Sequence, residues 1–140
     1  MSARVLIVED ELLIALEMEA IIEDEGHQPV GIATSAREAR RLVATEKPDV
    51  ALVDLNLADG PTGPDIGLEL AEAGVLVVFV TANPRVISHV VPGILGVMEK
   101  PVREKDILNI VSYAVAHRAG AAMSPPGALR TISYTNGRDG

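Results

Sequence analysis

The sequence predicts a doubly wound α/β fold, a five-stranded parallel sheet with helices on both faces. Three observations carry this expectation. Five short apolar runs recur, at Val5–Val8, Val30–Ala33, Val50–Val53, Val75–Val80 and Ile94–Met98, each rich in β-branched side chains and bounded by charge, Gly or Pro. The runs are continuous, as strands buried on both faces require. Segments of helical period lie between them, and strands alternating with helices give a parallel sheet in (βα)5 order.

Each helical segment carries its own signals. Glu11–Glu25 has two apolar stripes, one of Leu13, Leu16 and Ala20 and one of Ile14, Met18 and Ile21, with Gly26 placed to end the helix. Ser35-Ala36-Arg37-Glu38 reads as a capping box opening a helix that runs to about Thr45. Asp65–Ala73 follows, and Lys105–Arg118 has Ile107, Ile110, Val111 and Ala114 on one stripe. Pro84–Pro92 is weaker: its Val86, Ile87, Val90 and Val91 lose χ1 freedom in a helix, and a short, marginal helix is expected there. After Arg118 no period is sustained, so residues 1–118 are read as the folded domain and residues 119–140 as a flexible tail.

Composition narrows the function. At 140 residues the chain can bury its own core. It has no cysteine, which excludes disulfides and thiolate metal sites and fits a reducing cytoplasm. The apolar run after Arg4 is too short for a signal peptide or a membrane span. A net charge of −8 argues against direct nucleic-acid binding, which needs a basic face. One Phe, two Tyr and no Trp leave little with which to stack bases or sugars.

Ligands of open parallel sheets bind beyond the carboxyl ends of the strands. The residues that follow the apolar runs are therefore informative. Glu9 and Asp10 follow the first run, Asp54 the third and Thr81 the fourth, while Lys100-Pro101 comes shortly after the fifth. Each alone is an ordinary cap or solvated charge; their coincidence on one rim is not. Clustered carboxylates repel unless a cation shares the site, and an all-oxygen set suits Mg²⁺. Such a site also lets an Asp carboxylate attack phosphorus, with Lys100 and Thr81 positioned to bind the transferred group.

The stretches V-L-I-V-E-D-E, D-V-A-L-V-D-L-N-L, V-F-V-T-A and E-K-P, in this order, resemble the response-regulator receiver domain over roughly residues 3–118. The resemblance implies a flavodoxin/CheY-like fold and a two-component phosphorelay in which Asp54 accepts phosphate from a sensor histidine kinase, a phosphotransfer protein or a small phosphodonor. It implies that Glu9, Asp10, Asp54 and the backbone carbonyl of Asn56 hold Mg²⁺. Thr81 and Lys100 then bind the phosphoryl oxygens, and the Lys100–Pro101 bond is cis. Such a protein catalyses only its own phosphoryl transfer and dephosphorylation and acts through a downstream protein partner.

Two positions depart from the family. Tyr or Phe is usual three residues before the lysine, where this chain has Val97, so the aromatic part of the usual switch is missing. The loop Ala58–Pro64 is longer and richer in Gly and Pro than usual. With V-F-V-T-A-N-P it resembles receivers of general stress signalling. Phosphorylation is expected to act through Pro84–Pro92, the fifth strand and the last helix. Asn83 would stand at the pocket rim or cap the helix at Pro84. His27, His89 and His117 have no metal spacing and read as surface residues, with His89 a minor candidate for a partner contact.

Rival functions fare worse. A flavodoxin-like cofactor site needs a phosphate loop after the first strand, where Glu9-Asp10-Glu11 would repel phosphate. Phosphatases and mutases with an Asp nucleophile usually carry a second Asp two residues on, where this chain has Asn56. A phosphate sink or a phosphorylation-independent interaction module is the remaining alternative. A stand-alone receiver is expected; whether it forms a homodimer is left open.

Overall fold

The computed structural model describes residues 2–82 and 93–131. Its elements, in order, are β1 (Arg4–Val8), α1 (Leu12–Asp24), β2 (Gln28–Ala33), α2 (Ala36–Glu46), β3 (Val50–Asp54), α3 (Gly63–Glu72), β4 (Leu76–Thr81), β5 (Ile94–Glu99), α4 (Glu104–Arg118) and β6 (Leu129–Thr131). The strands form one sheet in the order β2-β1-β3-β4-β5-β6, parallel except for the last pair. The doubly wound parallel sheet expected from the sequence is present. The marginal helix expected over Pro84–Pro92, together with Asn83 and His89, lies outside the described residues.

Alternation along the strands divides the core between two faces. Val5, Ile7, Leu52, Val78 and Val80 pack with Ala15, Met18 and Ile22 of α1 and Ile107, Ile110, Val111 and Ala114 of α4. Leu6, Val8, Val53, Val77 and Phe79 pack with Ala36 and Ala39 of α2 and Ile66 and Leu70 of α3. The stripe expected on α4 is the buried one. Of the two stripes on α1, the one through Ile14, Met18 and Ile21 faces the core, while Leu13 and Leu16 face solvent.

Two expectations need correction. The run at Val30–Ala33 was expected to be buried like the others, but β2 is an edge strand with only Ala33 fully buried, since no strand among the described residues pairs with its outer side. The span 119–140 was expected to be a flexible tail, but Leu129–Thr131 pairs antiparallel with β5. A three-residue strand is shorter than any alternation that sequence can register.

The site end of the sheet is packed tightly enough to constrain composition. A Cβ on Gly63 would fall within 2.1 Å of the Asp54 carbonyl oxygen, so the start of α3 sits directly on the end of β3. A Cβ on Gly67 would meet the buried Phe79 ring at 2.4 Å. Gly67→Ala is therefore expected to destabilise the fold by about 1–3 kcal/mol, the usual range for overpacking a core. Thermal or urea unfolding measures it, and an unchanged midpoint would show that the ring moves aside freely.

Candidate functional site

The carboxyl ends of β1, β3, β4 and β5 bring together the residues that sequence singled out. Glu9 follows β1 and is 1% exposed; its Oε2 accepts the Glu11 backbone N–H at 3.2 Å, which anchors it at the turn into α1. Asp54 ends β3 and is 6% exposed, its Oδ1 accepting the backbone N–H of Asn56 at 3.2 Å. Thr81 ends β4, is buried, and accepts the Lys100 backbone N–H on its carbonyl at 2.8 Å. That bond fixes the start of the β5–α4 loop, and the Lys100–Pro101 peptide bond is cis.

Lys100 reaches back over the carboxylates. Its Nζ donates to Asp54 Oδ2 at 3.2 Å and lies 2.9 Å from Glu9 Oε1, with exposed Glu11 at 4.0 Å. The Glu9 contact is ionic rather than a directed hydrogen bond, which leaves Glu9 Oε1 buried without a hydrogen-bond partner among the described residues. Burial pushes the Glu9 carboxyl up to about 7, and Asp54 adds to the rise against the opposing pull of Lys100. Burial acts to lower the Lys100 pKa, but Glu9 and Asp54 outweigh it and hold the ammonium above its ordinary value.

One oxygen each from Glu9, Asp10 and Asp54 lie within 4.8 Å of one another. Asp10 is the exposed member of the group, and Asp54 and Glu9 are the buried ones. Among the described residues, three carboxylates against one ammonium leave the cluster net negative. A buried carboxylate oxygen ion-paired to Lys100, beside a solvent-facing carboxylate, fits a hard divalent cation that keeps part of its water. Asn56 is exposed and lies at the same loop, two residues beyond Asp54.

Two features of the site escaped the sequence reading. The loop after β3 is held in place rather than hanging free. Ala58 donates its N–H to the Thr34 carbonyl at 2.9 Å, and Asp59 accepts the Ala36 N–H at the start of α2 at 3.2 Å. The Thr62 hydroxyl, 2.7 Å from Asp59, holds that carboxyl below its ordinary pKa, with Ala36 assisting. The capping box is shared differently from the expected form: Ser35 Oγ accepts the Glu38 N–H, but the Glu38 carboxylate bonds Thr34. The second feature is a group of exposed leucines at the start of α1, with Leu12, Leu13 and Leu16 at 57%, 78% and 45% exposure. Val97, at the position where an aromatic was missed, is buried opposite Phe79 on the α2–α3 face. His27 accepts the Ala3 N–H on Nδ1 at 3.0 Å, and His117 lies against Tyr113 in a tilted contact, ring centroids 6.3 Å apart, so neither approaches the site.

Residues 5–112 match the response regulator receiver domain. The chain belongs to this family. It is 34% identical over 124 residues to the phyllosphere-induced regulator PhyR of Methylorubrum extorquens, covering 86% of this chain and 46% of that protein. It is 29% identical over 117 residues to the transcriptional regulatory protein PdtaR of Mycobacterium tuberculosis, covering 81% of this chain and 57% of PdtaR. The chain thus spans about half the length of these curated relatives. Among solved structures, PhyR of Brucella abortus superposes with a TM-score of 0.76 at 34% identity, over 86% of this chain and 50% of that one. The receiver domain of Erythrobacter litoralis PhyR, solved by NMR, gives 0.70 at 31% identity over 90% of this receiver chain and 96% of that one. Among the described residues no helix is long and apolar enough to cross a membrane.

Proposed function

We propose that this receiver takes a phosphoryl group onto Asp54 from a histidine kinase, a phosphotransfer protein or a small phosphodonor, and that the phosphorylated state controls binding to another protein. One observation carries the reading: a single ammonium, Lys100, bridges two buried carboxylates at the mouth of an otherwise acidic cluster. In the transfer an Asp54 carboxylate oxygen forms a bond to phosphorus as the donor's bond to phosphorus breaks. Lys100 exchanges its carboxylate partners for a phosphoryl oxygen, and the Thr81 hydroxyl hydrogen-bonds another. Glu9, Asp10, Asp54 and the Asn56 carbonyl would hold Mg²⁺, which neutralises charge on the incoming group when bound. Incubation with acetyl phosphate and Mg²⁺ is expected to add one phosphoryl group by mass, and none in EDTA or with Asp10→Asn at short times. Equal labelling in EDTA would remove the metal from the scheme.

The phosphodonor protein is expected to dock over Leu12, Leu13 and Leu16, an apolar cluster beside the acidic pocket with no other evident use. Leu13→Asp is then expected to slow transfer from a kinase by about tenfold or more, as for a well-placed interface residue. Uptake from acetyl phosphate stays unchanged, because Leu13 touches none of the reacting groups. Parallel losses with both donors would place the leucine effect in the fold.

PhyR of Bartonella quintana, 32% identical to this chain, is an anti-anti-sigma factor. By that likeness the output here is protein binding, although the chain spans only about half of that protein. The buried Val97 favours a second reading, since no ring stands there to report the phosphate. On that reading the receiver serves as a phosphate sink or an interaction module indifferent to phosphorylation. Pull-downs with the phosphorylated and unmodified protein separate the two readings: partners that differ support a switch, and identical partners support the alternative.

A further inference from the structure

Among the described residues, the outer edge of β5 is covered by three residues of the chain's own C-terminal segment. Leu129, Arg130 and Thr131 pair with it, opposite Met98, Val97 and Gly96 respectively. Residues 121–126, which lead into β6, have neither helix nor strand. The Arg130–Glu99 ion pair, at 3.4 Å between side chains 66% and 50% exposed, adds little. Among the residues of β6 whose burial is described, Leu129 is the buried anchor, packed in the core on the α1–α4 face. Few pairs and one anchor describe an element that opens locally well before the domain unfolds.

The edge beneath is shaped for another backbone. A Cβ on Gly96 would lie 2.4 Å from the Arg130 carbonyl oxygen and 2.9 Å from Leu129 Cδ1, so only glycine admits a strand this close. Along β5 no proline interrupts the edge, and among its residues only Glu99, at the strand's end, is charged, so Ile94–Met98 lacks the devices by which exposed edges are usually protected. Direction supplies the last step. β6 runs antiparallel to β5. A two-fold axis at this edge sets the β5 of a second copy antiparallel to the first as well, so the edge that accepts β6 already presents the hydrogen-bonding pattern such a copy needs.

We propose that β6 is a displaceable cis cap on the β5 edge, and that the occupant it holds off is the β5 edge of a second copy. Lifting β6 turns a monomer into a dimer whose sheets join through Gly96 to Met98. Two variants of the full chain test this. Leu129→Asp removes the buried anchor, whereas Arg130→Pro breaks the strand at an exposed position and leaves the core untouched. Both are expected to self-associate at least about tenfold more tightly than wild type by sedimentation or light scattering. In the dimer the amides of 95–98 stay protected from hydrogen exchange, and they lose that protection on dilution. Folded variants that associate no more tightly than wild type overturn the proposal, as do dimers whose β5 amides exchange freely. If Leu129→Asp fails to fold, Arg130→Pro decides alone. Unfolding of both would show β6 to be an integral strand and overturn its role as a cap.

Discussion

Asp54→Asn is expected to abolish phosphoryl uptake from acetyl phosphate and Mg²⁺ under conditions in which the wild type gains one group. The substitution is nearly isosteric, so the Asn56 N–H keeps an acceptor at Oδ1 and the fold persists. It removes the one carboxylate that both ends the central strand and sits 3.2 Å from Lys100. An amide oxygen is not a nucleophile toward phosphorus at neutral pH, so the loss is complete rather than graded. The neighbours are poor substitutes. Glu9 is buried and tied to the Glu11 N–H and Lys100, and Asp10 is turned to solvent. Intact-mass measurement checks the outcome, and peptide mapping names any residual acceptor. Labelling of Asp10 at the wild-type rate would defeat the assignment of Asp54.

The parts of this molecule that sequence makes legible are those set by short-range periodicity. A buried parallel strand must be a continuous apolar run, so β1, β3, β4 and β5 announce themselves, and the residue after each falls on the ligand-binding rim. Glu9, Asp10, Asp54, Thr81 and Lys100 could thus be placed on one rim from order alone. What stays hidden depends on contacts distant in sequence. Both stripes of α1 are apolar, and only packing against α4 decides that Met18 turns inward and Leu13 outward. The ordered state of the loop after β3 rests on Asp59 reaching Ala36, 23 residues away, which no local pattern records. β6 is shorter still than any period, and its one legible trace is the glycine at 96 that makes room for it.

Glu9→Gln is expected to stabilise the metal-free protein at pH 8 and to leave it nearly unchanged at pH 4. The sign follows from the raised carboxyl. Glu9 titrates near 7 in the fold against 4.5 when free, so the folded state binds its proton more tightly than the unfolded chain does. The corresponding stability is fully present below pH 4.5 and is lost as the pH rises to about 7, because the fold must then carry a buried charge that Lys100 only partly compensates. Glutamine carries no such charge. The gain at pH 8 is at most about 3–4 kcal/mol, taking 1.36 kcal/mol for each unit between 4.5 and about 7, and Lys100's lost partner reduces it. Added Mg²⁺ should reverse the ranking. A cation that needs the Glu9 carboxylate stabilises wild type more than Glu9→Gln, and more at pH 8 than at pH 6, where a proton competes for the same oxygen. Urea unfolding across this pH range, with and without Mg²⁺, measures both effects. Wild type and variant that unfold in parallel at every pH would show that Glu9 titrates alike in the folded and unfolded states, and that burial does not raise its carboxyl.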